Sequence, residues 1–241
     1  RTFTKYEGNP VLGEDRLKTL QTDHSRDPKI FWYSPTRGMD PKAEDGHWVM
    51  ILFEDAGHSV FTSDNLKHWE KQGTIQGFHE CPELFPLAVD GDLKNIRWVM
   101  YGANGQYHIG SFDGKTYQPE TPEKLRFNHG ARHYAAQTFS DTPGRPPRRI
   151  QVGWQADQIS FPVELSLRTT PLGLRLCALP VGEIENLYVT NTSPKIQELK
   201  EGDANPLAPF KSGLYDIELD AQVDTAKNLE FTVRGKTIRY D

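Results

Sequence analysis

The chain has 241 residues, 36% hydrophobic and 11% aromatic, enough for a core of one large or two modest domains. Its 28 Lys and Arg stand against 33 Asp and Glu, a formal net charge of −5, and no basic cluster is long enough to point to nucleic acid. No apolar run approaches the roughly 20 residues of a membrane-spanning helix, and two cysteines far apart do not make a disulfide framework.

Taken in order, the elements read as short strands. The opening RTFTKYEGNPVL resembles the later LKHWEKQG and reads as the isolated last strand of a sheet unit. A first full unit, roughly 24–75, holds RDPKIFWYS, a segment around Trp48-Val49-Met50, HSVFTSD and LKHWEKQG. The second, 77–123, repeats the four types as ECPELFPLAV, Trp98-Val99-Met100, YHIGSFDG and GKTYQPET. The third, 131–180, gives HYAAQTFSD, RRIQVGW, FPVELSLRTT and GLRLCALP. Each segment is rich in aromatic and β-branched residues and bounded by Gly, Asp, Asn or Pro, the pattern of strands joined by tight turns. Asp90-Gly91 and Asp113-Gly114 are hairpin dipeptides, and no long segment has helical periodicity. The Pro-rich group RPPRR, 145–149, reads as a solvated turn.

Four strands repeated about every 50 residues predict β-propeller blades. Three blades and an orphan strand do not close a ring, so the expected fold is all-β: an incomplete five-bladed propeller over 1–182, as part of a longer protein. A boundary falls near 180–187, where VGEIENLYV forms a connector. Residues 183–241 are then expected to hold that connector and the start of a β-sandwich, with alternating strands at Tyr215–Leu219 and Leu229–Val233.

Two carboxylates head first strands: Asp27 in Arg26-Asp27-Pro28 and Glu80 in Glu80-Cys81-Pro82. Asp27 precedes Glu80 by 53 residues and Glu80 precedes Tyr134 by 54, so the repeat treats the three as equivalent and aims them at one axis. Paired carboxylates in one pocket are the working parts of glycoside hydrolysis. Glu80, at the mouth of an apolar run, reads either as a partly desolvated acid with a raised pKa or as a surface residue capping a loop. Asp27 reads as a sugar-binding carboxylate or as a turn residue before Pro28. Arg26 and Asp27 are strand neighbours, which point to opposite faces, so Arg26 is free to bind elsewhere. Tyr134 and Trp154 could stack on a sugar ring, whereas Trp32, Trp48, Trp69 and Trp98 read as core. His24, His79, His129 and His133 flank first strands, but no His-x-x-His or Cys-x-x-Cys spacing supports a metal, and no phosphate loop or nucleophile elbow occurs.

Arg26-Asp27-Pro28, the run Glu80–Phe85 and the run Tyr134–Phe139, in this order and spacing, resemble glycoside hydrolase family 32, which includes invertases, levanases and inulinases. The likeness extends through RRIQVGW to PVGEIENLY, about residues 1–190. It implies a five-bladed propeller followed by a β-sandwich, and retaining hydrolysis of β-fructofuranosides such as levan, inulin or sucrose; no cofactor or metal is expected from the residues. It implies Glu80 as general acid/base and Asp27 as transition-state stabiliser, with Arg26, Cys81, Tyr134 and Trp154 lining the fructosyl subsite. A polymeric substrate implies action outside the cell. The family's nucleophile lies in a Trp-x-Asn-Asp-Pro-x-Gly motif that this sequence lacks; the chain alone is therefore expected to be inactive. Other outcomes on the same residues are a non-catalytic fructan-binding propeller, a fructosyltransferase or an arabinosidase-like relative.

Overall fold

The computed structural model describes residues 2–13, 24–54, 57–128, 132–140, 142–144, 147–190, 192, 203–211, 213, 215–218, 220, 222, 225 and 228–240. The chain splits into two compact units, Arg1–Leu187 and Tyr188–Asp241. Among its described residues the first is all-β apart from one short 3₁₀ helix, Gly182–Leu187. Among the described residues no helix is long and apolar enough to cross a membrane.

Three four-stranded antiparallel blades follow one another along the chain. The first is β1 (Arg26–Tyr33), β2 (His47–Glu54), β3 (Gly57–Ser63) and β4 (Glu70–Gln76), paired in that order. The second is β5 (Glu83–Val89), β6 (Asp92–Tyr101), β7 (Gln106–Phe112) and β8 (Tyr117–Pro119), with the short β9 (Leu125–Arg126) also on β7. The third is β10 (Tyr134–Thr138), β11 (Ile150–Gln155), β13 (Val163–Thr170) and β14 (Gly173–Pro180), with β12 (Gln158–Ile159) hairpinned onto β11. These are the four recurring segment types of the sequence, in their order. The turn chemistry behaves as expected: Asp90 (φ 52) and Gly91 (φ 82) form the two-residue loop between β5 and β6, where both central residues must take positive φ. The Asp113 carboxylate accepts the amides of Lys115 and Thr116 at 2.9 and 2.7 Å and so shapes the β7–β8 turn.

The blades pack face to face. On adjacent strand positions, which point to opposite faces, Leu84 and Met100 turn toward the first blade and join Phe31, Val49, Trp98 and Phe112. Phe85 and Val99 turn toward the third blade and join Tyr101, Tyr107, Leu165 and Leu167. Covering both faces explains why ELFPLAV and WVMY are nearly continuous apolar runs instead of alternating ones. Each such side chain contributes about 1.5–3 kcal/mol of burial. A contact at the edge reinforces the stack: Asp90 accepts the Thr169 amide at 2.9 Å and the Thr169 hydroxyl at 2.6 Å.

The structure departs from the sequence reading in three places. Residues 2–13 form no strand. A strand exists through its ladder to a neighbour, and no described strand pairs with these residues; instead Val11 and Leu12 pack through their side chains on Met50, Leu52, Phe61 and Trp69 of the first blade. The expected solvated turn at RPPRR is instead tied down at its end. Arg148 bonds Glu164 at 2.7 Å and Glu183 at 2.6 Å, and the Arg149 guanidinium lies 5.2 Å over the Phe85 ring; Arg145 and Pro146 are outside the described residues. In the second unit Leu229–Val233 forms a strand, β15, hairpinned to β16 (Lys236–Tyr240). Residues 215–218 do not form one, for want of a described partner, and Leu219 lies outside the described residues.

Candidate active site

The same backbone device stands at or just before the start of each blade's first strand. Asp27 (φ 57), Cys81 (φ 49) and Ala135 (φ 49), 54 residues apart in turn, occupy the left-handed region. In β1 and β10 the ladder slips by one residue just there, between Arg26 and Lys29 and between Tyr134 and Gln137. These are β-bulges, which re-aim a side chain at a rim. Left-handed backbone costs a non-glycine residue about 1 kcal/mol or more.

This device corrects the equivalence expected from sequence. Glu80 is matched with Arg26 and Tyr134, the residues immediately before the left-handed positions, and not with Asp27, which is matched with Cys81 and Ala135. Sequence spacing of 53 and 54 hid the one-residue offset.

The matched residues meet. Arg26 grips one oxygen of Glu80, with Nε at 2.8 Å and Nη2 at 2.7 Å from Oε2. The Tyr134 hydroxyl donates to the other oxygen, Oε1. His79 Nε2 lies 3.5 Å from Oε1. Arg26 is itself held by the His24 carbonyl at 3.0 Å and lies 4.4 Å over the Phe53 ring. Beside this cluster Asp27 Oδ2 accepts the Cys81 amide at 3.2 Å and its thiol at 3.5 Å, and stands 3.8 Å from Arg26 Nε. Five of the six residues singled out from sequence therefore form one contiguous group. The sixth, Trp154, is paired across the β10–β11 ladder with Tyr134; their rings lie 6.5 Å apart at 68°, and Trp154 is 54% exposed, open to a ligand.

The electrostatics follow from these contacts. The Tyr134 hydrogen bond and then Arg26 hold the Glu80 carboxyl below the usual carboxylate range. The raised pKa expected from an apolar neighbourhood is thus overturned, because partners 54 residues away outweigh desolvation. Burial, and then Glu80, pushes the Tyr134 phenol far above its ordinary value. The Cys81 thiol is pushed up to about 12 by burial and by Asp27. The group thus holds an ionised glutamate between a phenol and a guanidinium, with a second carboxylate alongside.

Sequence reading missed two supports. Phe53, inside the apolar run of β2, carries Arg26 on its face. His58, fully buried, stacks on Phe78 at 5.8 Å, and its Nε2 lies 3.1 Å from the His79 carbonyl oxygen next to Glu80. Burial lowers the His58 pKa to about 4, so the ring is neutral near pH 7. Neither carries a sequence signal, since an aromatic inside a strand reads as core. Among the described residues no three His, Cys, Asp or Glu side chains are grouped as metal ligands; His129 is outside them.

Comparison with known proteins bears on this geometry. Residues 1–160 match the model of the glycosyl hydrolases family 32 N-terminal domain. A levanase of Bacillus subtilis is 32% identical over 98% of this chain and 38% of its own length. An extracellular exo-inulinase of Meyerozyma guilliermondii is 33% identical over 59% of this chain and 28% of its own. A fructofuranosidase from Schwanniomyces occidentalis, solved in complex with fructosylnystose, superposes with a TM-score of 0.60 at 26% identity, covering 75% of this chain and 38% of that one. The chain thus spans well under half the length of these relatives. With its three stacked blades and the matched domain covering both carboxylate motifs, the chain belongs to glycoside hydrolase family 32.

Proposed function

We propose that this chain is part of an enzyme that hydrolyses β-fructofuranosidic bonds in levan, inulin or sucrose with retention of configuration. The observation that carries the reading is the single cluster of Arg26, Glu80 and Tyr134 with Asp27 docked on Cys81 at its side. Glu80 is the general acid/base: as the acid it protonates the leaving-group oxygen, and as the carboxylate it then takes a proton from the attacking water. Asp27 stays beside the sugar, where its charge stabilises the oxocarbenium-like transition state. Arg26, Cys81 and Tyr134 line the fructosyl subsite, and Trp154 offers its exposed ring to the sugar's C–H face.

The depressed Glu80 pKa sets a requirement. To act first as an acid, Glu80 must gain a proton, and a second carboxylate about 5–5.5 Å away, the nucleophile of a retaining site, raises its pKa by like-charge repulsion. The resemblance places that nucleophile in an Asn-Asp-Pro motif absent from these 241 residues. The relative named an extracellular exo-inulinase supports action outside the cell.

The test is fructose release from levan, inulin and sucrose by the full-length enzyme with and without Glu80→Gln. Losing proton transfer should lower kcat by roughly 10²–10⁴-fold, and an undiminished rate removes Glu80 from the mechanism. The chain by itself should release no fructose. Fructan binding without turnover by the full-length protein would favour the non-catalytic binder.

A further inference from the structure

Beneath the rim cluster lies a buried charge pair that the mechanism does not use. Lys29 of β1 and Glu83 of β5 form an ion pair at 2.8 Å, with side chains 11% and 0% exposed. Thr138 of β10 closes the group: its carbonyl accepts Lys29 Nζ at 2.8 Å and its hydroxyl donates to Glu83 Oε2 at 2.5 Å. One contribution thus comes from the first strand of each blade, across sequence separations of 54, 55 and 109 residues.

The placement relative to the rim is matched for the ion pair: Lys29 follows Arg26 by three residues and Glu83 follows Glu80 by three, whereas Thr138 follows Tyr134 by four, one position beyond Gln137. In β1 the bulge makes that step of three equal to two on the partner strand, since Arg26 faces Phe53 and Lys29 faces Ile51. Arg26 and Lys29 therefore point to the same face, one above the other. Neighbouring positions on the same strands, Phe31, Leu84, Phe85 and Ala136, are apolar and buried. A buried ion pair is a poor source of net stability compared with apolar side chains of similar volume, whereas its directed bonds hold partners at one distance.

We infer that Lys29 and Glu83, with Thr138, are positioning residues for the reaction: they lock the three first strands at the separation at which Arg26 and Tyr134 both reach Glu80. This rests on the reading of Glu80 as the acid/base. The rim contacts are short, and a misplacement of about 1 Å at a reacting group costs up to about 100-fold in rate.

The experiment uses the full-length enzyme and two kinds of variant. Lys29→Met with Glu83→Leu replaces the pair by apolar side chains of similar size. A roughly 10–100-fold fall in kcat is expected, with KM within about threefold of the parent because the sugar-contacting residues remain. Thr138→Val removes the hydroxyl bond to Glu83, together with the longer 3.4 Å contact from Arg149, and should lower kcat about 3–10-fold, while Thr138→Ser, which keeps the hydroxyl, should restore it. A folded double variant with kcat within about twofold of the parent overturns the inference. Should the double variant not fold, equal kcat in Thr138→Val and Thr138→Ser overturns it instead. Glu80→Gln, run in parallel, separates the failures: a loss there with unaffected tie variants sinks only the positioning role, and no loss there sinks the acid/base reading itself.

Discussion

The contact between Asp27 and Cys81 can be tested on the chain itself through thiol chemistry. The thiolate is the species that reacts with iodoacetamide. At pH 8 a thiol at its ordinary 9.0 is about one-tenth ionised, whereas one at about 12 is ionised to roughly one part in ten thousand. Cys81 should therefore alkylate about a thousandfold more slowly than an unhindered thiol. Cys177→Ser isolates Cys81 for the measurement, since both cysteines are free. The perturbation is Asp27→Asn. Burial is the largest cause of the elevated thiol value, followed by the Asp27 charge and its hydrogen bond. Removing that charge should speed alkylation about tenfold without reaching the rate of a free thiol. The assay is mass-spectrometric labelling over time at pH 8 in native buffer, with urea-unfolded chain as the reference. Native Cys81 labelling as fast as the unfolded reference, or a rate indifferent to Asp27→Asn, would refute the docking of the carboxylate on the thiol.

Two further outcomes follow from the rim and its support. Tyr134→Phe removes the donor to Glu80 Oε1 and lets the Glu80 carboxyl rise toward its ordinary range. A depressed carboxyl stabilises the fold above its unfolded pKa and loses that contribution as pH falls through the folded value. The variant should therefore be less stable by about 1–2 kcal/mol at pH 7, a gap that narrows in urea titrations as pH falls below the ordinary carboxylate range; a gap independent of pH would contradict the assignment. His58, at about 4 in the fold against an ordinary 6.5, leaves the unfolded chain holding the extra proton between those values, so stability falls as pH drops from 6.5 to 4. The full effect is roughly 3 kcal/mol. His58→Gln should flatten stability across that window, and an unaltered slope would show that another group titrates there.

The strands, their order and the fourfold grouping were legible in the sequence because each depends on neighbours along the chain. Apolar runs with β-branched residues ended by Asp-Gly turns were enough to draw β5, β6 and β7. The continuous runs ELFPLAV and WVMY also carried the information that the second blade is covered on both faces. Where sequence reading failed, a partner was needed. RTFTKYEGNPVL and residues 215–218 have strand-like composition and no described strand to pair with.

At the site, residue chemistry was legible and its alignment was not. Carboxylates before Pro28 and Pro82 identified Asp27 and Glu80 without coordinates. Only the tertiary structure decided that Glu80 faces Arg26 and Tyr134, because a left-handed residue at Asp27, Cys81 and Ala135 shifts each strand's aim by one position. It also decided the sign of the Glu80 shift. Desolvation can be guessed from adjacent residues, but the guanidinium and phenol that outweigh it arrive from other blades, 54 residues away in either direction. Local composition determines which groups a strand carries, and the packing of blade on blade determines which of those groups share a charge.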